Sequence, residues 1–198
     1  MIHLRLHEIS ALTGVKILQG TRDLGVRGVS TDSRSPNPGG LFVALAGERF
    51  DGHDYLAAAA PQSAAVLISK AGCLEALREH PACGAVLVPD TRQAMLQLAA
   101  GYRQKLDQCC WLAVTGSMGK STVKELLAGI LGLGRRVHWA RKSFNNEIGV
   151  PLTIFEASPE DQAVVMELGT NHPGEIARLA GVVRPRIAVI TNAAPCHL

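Results

Sequence analysis

The stretch 112-LAVTGSMGKSTVKELLAGIL-131 decides the fold of the second half of this chain. It begins as an apolar run, breaks at a short polar loop between two glycines, and resumes as an amphipathic pattern headed by Lys120. A buried strand, a glycine loop and a helix in this order bring backbone N–H groups and the positive end of the helix dipole to one point, which favours an anion. We therefore expect a nucleotide phosphate at this loop, with Lys120 neutralising its oxygens and the hydroxyl of Ser121 on Mg²⁺.

The loop matches the phosphate-binding pattern G-x-x-x-x-G-K-[ST] only in part, because Val114 stands where the first glycine is required. A glycine turn that merely caps a helix is the competing interpretation. The strand before the loop and the amphipathic helix after it favour nucleotide binding over that alternative.

The helix after the loop shows apolar residues spaced three, four and seven apart. This spacing predicts a buried face formed by Val123, Leu126, Leu127, Ile130 and Leu131. Lys124 and Glu125 are predicted to point outward.

The second half of the chain alternates between strands and helices. The predicted strands are 111–115, 137–140, 163–168 and 187–191, and the predicted helical segments are 120–133, 152–155 and 174–182. Continuous apolar strands such as 163-AVVMEL-168 are typical of a parallel sheet that is covered on both faces. The alternation therefore predicts a doubly wound α/β sheet.

The first half is less regular. Its predicted strands are 41–45, 65–68 and 85–88, and a helix is predicted over 94–106. The polar segment 107-DQC-109 is the predicted junction between the two halves.

Two polar residues follow the ends of predicted strands in the second half. Glu167 closes an apolar strand, and at the carboxyl edge of a parallel sheet such a carboxylate faces the ligand crevice, so we expect a Mg²⁺ role, direct or through water. The alternative is a strand-end residue that simply reaches solvent. His197 follows the last strand in 192-NAAPCHL-198. By itself it favours a structural or exposed histidine over a ligand.

The composition narrows the function classes. The 198 residues are 47% hydrophobic and 19% charged, with a net charge of +3, and no basic run supports nucleic-acid binding. No apolar stretch reaches the roughly 20 residues that span a bilayer, and the charged start lacks a signal-peptide core, so we expect a cytoplasmic protein without membrane insertion. Five cysteines without CxxC spacing predict incidental thiols in a reducing compartment.

Several segments together resemble the Mur ligase family. Its central ATPase domain is similar to 115-TGSMGKST-122, 144-FNNEIGVPLT-153, 167-ELGTNHPGEI-176 and 192-NAAPCHL-198. The segment 28-GVSTDSRSPNPGGLFVALAGERFDGHDYL-56 resembles the N-terminal domain, which in that family holds the uridine diphosphate end of the substrate. The resemblance covers essentially the whole chain. It implies a small α/β substrate-binding domain over 1–107 and a truncated parallel-sheet P-loop ATPase domain over 108–198.

The resemblance also implies site residues. The ATP-binding residues that it implies are Thr115, Gly116, Ser117, Met118, Gly119, Lys120, Ser121 and Thr122. The implied catalytic residues are Lys120, Glu167 and His197, and the implied metal-linked residues are Ser121, Glu167 and His197. The implied substrate-binding residues are Ser30, Asp32, Ser33, Arg34, Phe50, Asp51, Gly52, His53, Asn145, Asn146, Asn171 and His172. Glu175 is equally well explained as a helix-start residue that the dipole favours.

Read without the resemblance, the first-half residues are less specific. Residues 30–34 and 50–53 have the composition of structural loops, although Arg34 suits either a carboxylate or a diphosphate.

The implied reaction is the ATP-driven joining of D-alanyl-D-alanine to UDP-N-acetylmuramoyl-tripeptide in peptidoglycan precursor synthesis. Phosphoryl transfer to the tripeptide carboxylate gives an acyl phosphate, which the amine of D-alanyl-D-alanine attacks. The family has a third domain and a longer central domain, so we expect this chain to be a fragment that is inactive alone. We also expect a monomer.

Two other functions remain open at this point. A small P-loop kinase or NTPase, complete at this length, would hydrolyse ATP or transfer its phosphoryl group. A non-catalytic module would bind the uridine nucleotide through the first half of the chain and do no chemistry.

Overall fold

The computed structural model describes residues 1–47, 49–141 and 143–194. The chain divides into two compact units, Met1–Leu98 and Ala99–Leu198. None of the helices in these described ranges is both long enough and apolar enough to cross a membrane.

The first unit is built on strands with short helical segments between them. In chain order its elements are β1 (His3–Arg5), α1 (Leu6–Thr13), β2 (Ile17–Gln19), β3 (Gly25–Arg27), β4 (Val29–Ser30), β5 (Gly40–Val43), α2 (Leu56–Ala59), β6 (Ser63–Ile68) and β7 (Gly84–Leu87). Two 3₁₀ segments, Gly52–Tyr55 and Ala71–Leu77, precede α2 and β7. Helix α3 (Thr91–Gln104) begins in the first unit and ends in the second.

A five-stranded sheet forms the centre of the first unit, with the strand order β2-β7-β6-β5-β4. The strands β4, β5, β6 and β7 are parallel, and β2 joins β7 antiparallel at one edge. The strands β1 and β3 form a separate antiparallel pair. The apolar strands β5 and β6 are almost entirely buried, since both of their faces are covered. These two strands carry the core of the unit.

The second unit has the parallel sheet that its alternating pattern predicts. Its elements are β8 (Cys110–Thr115), α4 (Lys120–Gly132), β9 (Val137–Trp139), α5 (Gly149–Glu156), β10 (Ala163–Glu167), α6 (Glu175–Val183) and β11 (Ile187–Ile190). Its strand order is β11-β8-β10-β9, with every neighbouring pair parallel. The α/β fold class is confirmed.

Strand β8 lies between β11 and β10. This order places the segments that follow β8, β10 and β11 next to one another at one edge of the sheet. The carboxyl ends of parallel strands all meet at the same edge, which is where open α/β sheets bind their ligands. The loop after β8 is therefore flanked by the ends of β10 and β11, and the site is assembled from these three segments.

The predicted buried face of α4 is wrong in part. Val123, Leu127 and Leu131 do pack against the sheet, but Leu126 and Ile130 are 60% and 65% exposed. The prediction that Lys124 points outward is also wrong, because its side chain is buried. The spacing of three, four and seven fits two overlapping stripes of this helix, and only contact with the sheet selects the one that contains Lys124 and Ala128.

Candidate functional site

The loop between β8 and α4 is held by the segment that follows β11. The backbone N–H of Ser117 donates to the Asn192 carbonyl at 3.2 Å, and that of Met118 donates to Asn192 Oδ1 at 2.9 Å. The Ser117 hydroxyl also donates to the Ala194 carbonyl at 2.7 Å. The loop therefore has a defined shape that depends on residues more than 70 positions away in the chain.

Gly116 is required for this shape. Its φ of +131° is open to glycine and strained for other residues, and a Cβ there would lie 2.2 Å from Thr191 Oγ1. The Thr191 hydroxyl donates to the Met118 carbonyl at 2.5 Å. The ends of β8 and β11 therefore lie so close together that there is no room for a side chain at Gly116.

Lys120 begins α4 and reaches back over the loop. Its ammonium donates to the Gly116 carbonyl at 2.7 Å and to the Ser117 carbonyl at 3.2 Å. The first turn of a helix has N–H groups without intrahelical acceptors, so positive charge and backbone donors converge here. This arrangement suits a phosphate group.

Glu167 ends β10 directly beside the loop. Its Oε2 accepts a hydrogen bond from the Ser121 hydroxyl at 2.9 Å, and its Oε1 accepts one from Asn145 Nδ2 at 2.9 Å. The structure thus brings together three residues that lie far apart in the sequence, all of them predicted site residues. A carboxylate and a hydroxyl are oxygen ligands of the kind that Mg²⁺ prefers.

The Glu167 side chain is only 2% exposed, so the alternative of a strand-end residue that reaches solvent does not hold. The Lys124 ammonium lies 3.6 Å from Glu167 Oε2. The sequence pattern predicts no site role for this lysine. A helical lysine four residues after Lys120 is a weak signal of it, since residues at that spacing lie on the same helix face.

The remaining loop residues have less specialised places. The Thr115 hydroxyl donates to the Leu168 carbonyl at 2.9 Å, which ties β8 to the end of β10. Met118 and Thr122 are exposed, and Gly119 directly precedes α4. His197, a predicted catalytic and metal-linked residue, lies outside the described residues.

Three further residues that were predicted to bind substrate lie in loops of the second unit. Asn146 Oδ1 accepts from the backbone N–H groups of Ile148 and Gly149, at 3.1 and 2.9 Å, and so anchors the start of α5. Asn171 and His172 are exposed on the loop before α6. Their side chains are not in hydrogen-bond contact with the Glu167 cluster in the described structure.

Glu175 has the helix-start role that the sequence suggests. Its carboxylate accepts from the backbone N–H groups of Asn171 at 2.7 Å and His172 at 3.1 Å. These two N–H donors, the Asn171 one first, lower the pKa of Glu175 to about 2.

A pocket of about 550 Å³ lies in the first unit, beside the carboxyl ends of β4 and β5. Its lining residues are Thr31, Asp32, Ser33, Arg34, Phe42, Leu45, Phe50, Gly52 and Tyr55. Five of the predicted substrate-binding residues are in this set, namely Asp32, Ser33, Arg34, Phe50 and Gly52. The sequence pattern does not reveal the apolar and aromatic wall of Phe42, Leu45 and Tyr55, because residues of these types are usual in a protein core.

Two loops meet at this pocket. Gly52 packs directly on the end of β5, where a Cβ would lie 2.8 Å from the Leu45 backbone nitrogen. Phe50 is 72% exposed and projects at the rim of the pocket. A large aromatic residue that is left exposed beside a pocket is suited to stacking on a planar ligand.

His53 and Asp51 support the pocket from behind and do not line it. His53 is buried, and its Nε2 accepts from the Ser69 backbone N–H at 2.9 Å. Nδ1 therefore carries the proton and donates to Asp51 Oδ1 at 2.5 Å. The Lys70 ammonium and then the His53 backbone N–H hold the pKa of Asp51 well below its usual range.

Asp32 and Arg34 form an exposed ion pair at the pocket. The Arg34 guanidinium donates to both carboxylate oxygens, at 2.9 and 2.7 Å. This side-chain contact, helped by the Arg34 backbone N–H, lowers the pKa of Asp32 to about 2. Ser30 lies just before the turn, and its hydroxyl donates to the Asp32 carbonyl at 3.2 Å.

Two family profiles match the chain. The profile described as Mur ligase family, catalytic domain, matches residues 25–103, and the one described as Mur ligase middle domain matches residues 114–198. The chain belongs to the Mur ligase family.

Two curated relatives from different organisms carry the same name. The UDP-N-acetylmuramoyl-tripeptide–D-alanyl-D-alanine ligase of Escherichia coli is 41% identical over 91% of this chain and 38% of its own length. The Synechocystis ligase of the same name is 39% identical over 90% of this chain and 38% of its own length. The chain thus spans about two fifths of the length of these curated relatives.

Solved Mur ligase structures show the same fold. The MurF structure from Acinetobacter baumannii has a TM-score of 0.88 at 32% identity and covers 100% of this chain and 42% of that one. The MurF ligase from Thermotoga maritima, solved in complex with ADP, has a TM-score of 0.73 at 29% identity over 84% of this chain and 38% of that one. The family resemblance drawn from the motifs is confirmed.

Proposed function

We propose that this chain carries the uridine-nucleotide and ATP sites of a ligase that joins D-alanyl-D-alanine to UDP-N-acetylmuramoyl-tripeptide in peptidoglycan precursor synthesis. The observation that carries the proposal is the cluster at the edge of the second sheet, where Ser121 and Glu167 meet beside the Lys120 loop. The names of the relatives support the substrates, and the ADP complex of the Thermotoga relative supports the nucleotide. Residues 1–107 would serve the first substrate and residues 108–198 the nucleotide.

In the second unit, Lys120 and the N–H groups at the start of α4 would bind the phosphates. Ser121 and Glu167 would hold Mg²⁺, and their oxygen chemistry fits that ion. The described residues contain no cluster of three or more His, Cys, Asp and Glu side chains for a metal. A site with few protein ligands is nevertheless typical of Mg²⁺, which keeps several waters and takes ligands from substrate phosphates. His197 is a further proposed ligand and catalytic residue.

The reaction that we propose needs charge neutralisation more than a nucleophilic side chain. When bound, Mg·ATP supplies the phosphoryl group that makes the tripeptide carboxylate an acyl phosphate, from which the amine of D-alanyl-D-alanine displaces phosphate. The chain's own contribution is to hold the phosphates in line and to offset their charge with Lys120. Asn145 fixes the carboxylate of Glu167, and Asn146, Asn171 and His172 would contact the acceptor substrate.

In the first unit, we propose that the pocket beside β4 and β5 binds the uridine diphosphate end of the substrate. Phe50 and Tyr55 offer aromatic faces for a base, and Arg34 offers a guanidinium for a diphosphate. Ser30, Asp51 and His53 would act by holding the two loops in place. We also propose that the protein is cytoplasmic and monomeric.

Titration calorimetry on this chain tests the proposal. We expect Mg·ADP to bind to the wild type and to bind about 100-fold more weakly to Lys120→Ala, and UDP-N-acetylmuramoyl-tripeptide to bind to both proteins alike. Absence of nucleotide binding to the wild type would contradict the ATP site. Binding of the uridine compound alone would support the non-catalytic module, whereas rapid ATP hydrolysis by the chain would support a small NTPase.

A further inference from the structure

Lys124 is an unusual residue in the second unit, because a lysine is rarely buried unless it is paired. Its side chain is 2% exposed, although it lies on a helix that has one face in solvent. Among the described residues, two carboxylates lie within ion-pair distance of the Lys124 ammonium. Glu167 Oε2 lies at 3.6 Å and Glu125 Oε1 at 3.1 Å.

The two carboxylates differ in their exposure to water. Glu125 is exposed, accepts a hydrogen bond from Trp139 Nε1 at 3.2 Å, and is hydrated without Lys124. Glu167 is buried to the same degree as Lys124, and its hydrogen bonds from Ser121 and Asn145 come from neutral groups. A buried carboxylate loses its hydration, and neutral donors compensate this loss less well than a positive charge.

We propose that Lys124 is the built-in counter-ion of Glu167 and acts as a positioning residue for the site. Its ammonium lets the carboxylate remain buried at the end of β10, aimed at Ser121 and Asn145, whether or not a divalent ion is bound. The pairing itself follows from the contacts, and its meaning for catalysis rests on the metal role of Glu167 in the proposed function.

A double-mutant cycle on the whole chain tests the pairing. Lys124→Met keeps most of the length of the side chain and removes its charge. Glu167→Gln keeps the shape of the side chain and removes its charge, and its amide oxygen still accepts a hydrogen bond from one of the two donors, Ser121 or Asn145. Without metal, we expect Lys124→Met to lower the thermal midpoint by roughly 10 °C, because it leaves a buried charge unpaired. In the Glu167→Gln background the same change should lower the midpoint by only about 3 °C.

Glu125→Gln is the matched control, since it removes the other carboxylate near Lys124. We expect Lys124→Met to cost as much in the Glu125→Gln background as in the wild type. The proposal is overturned if the cost is the same with Glu167 and with Gln at position 167, or if it disappears when Glu125 is replaced. Lys124→Arg, which keeps the charge, should recover part of the midpoint.

A second measurement separates this proposal from the proposed function. Millimolar MgCl₂ should raise the midpoint of Lys124→Met more than that of the wild type, because a divalent ion replaces the missing positive charge beside Glu167. Upward shifts of equal size in both proteins would overturn the idea that the ammonium substitutes for the metal. If MgCl₂ shifts neither midpoint, the metal assignment in the proposed function fails, and the metal-free cycle alone decides the role of Lys124.

Discussion

The two candidate sites occupy the same place in their sheets but differ in the burial of their ion pairs. Each lies at the carboxyl ends of neighbouring parallel strands. In the first unit the pair of Asp32 and Arg34 is exposed, whereas in the second unit the pair of Glu167 and Lys124 is buried. Exposed pairs contribute little to stability, and breaking a buried pair is costly. We therefore expect a change at the exposed pair of the first site to have little effect on stability, whereas breaking the buried pair of the second site should destabilise the fold.

Lys120 tests whether the second site contains a residue that serves the ligand alone. We expect Lys120→Ala to weaken ADP binding by about 100-fold, since each charge-assisted hydrogen bond contributes about 1.5–3 kcal/mol. The thermal midpoint should stay nearly unchanged, because the hydrogen bonds of the ammonium within the described structure go to two carbonyls of its own loop, those of Gly116 and Ser117. Titration calorimetry and circular dichroism measure the two effects. Lys16→Ala removes the same charge from an exposed residue of the first unit and should change neither.

Gly116 tests the opposite case, a site residue that the fold requires. Gly116→Ala should lower the free energy of unfolding by about 3 kcal/mol, because it combines a strained φ with a clash against Thr191. Urea denaturation measures the change. Gly129→Ala is the control, since nothing lies within 4 Å of a Cβ there and helix propensity favours alanine. A cost for Gly116→Ala no larger than that of the control would disprove the close approach of β8 and β11.

Phe50 sharpens the comparison from the side of the first unit. Phe50→Ala should weaken binding of UDP-N-acetylmuramoyl-tripeptide by about tenfold, the loss of one aromatic contact, and leave the midpoint unchanged because the ring is already exposed. Calorimetry with the UDP compound measures the affinity. Leu18→Ala removes another exposed apolar side chain of the same unit, away from the pocket, and should leave the affinity as it is.

The smallest effect concerns the exposed pair at the pocket. Arg34→Ala should raise the pKa of Asp32 from about 2 towards its ordinary value of 3.8, which NMR titration of the carboxyl carbon detects. Because the folded-state pKa is lowered, any stability from the pair is present above pH 3.8 and is lost as the pH falls through about 2. The pKa of Glu175, also about 2, should not respond to this change, since backbone N–H groups of its own loop set it.

The sequence predicted the strands of the second unit and helix α4 more accurately than the elements of the first unit. The apolar strands β8, β10 and β11 and the helix α4 lie within one or two residues of their predicted bounds. The apolar runs of the strands are short and bounded by polar loops, and α4 is long enough to show helical periodicity. The short strands β1 to β4 of the first unit gave no comparable signal, since two or three residues carry no periodicity.

The sequence by itself determined the α/β class, the phosphate-type loop at Lys120 and the candidate carboxylate at the end of β10. These are local matters, since each depends on residue order over a short stretch of chain. Only the tertiary structure decided that Lys124 turns inward, that Asn192 holds the loop, and that Phe42 and Tyr55 line the pocket. Each of these depends on which strands are neighbours, and strand order is set by packing between segments far apart in the chain.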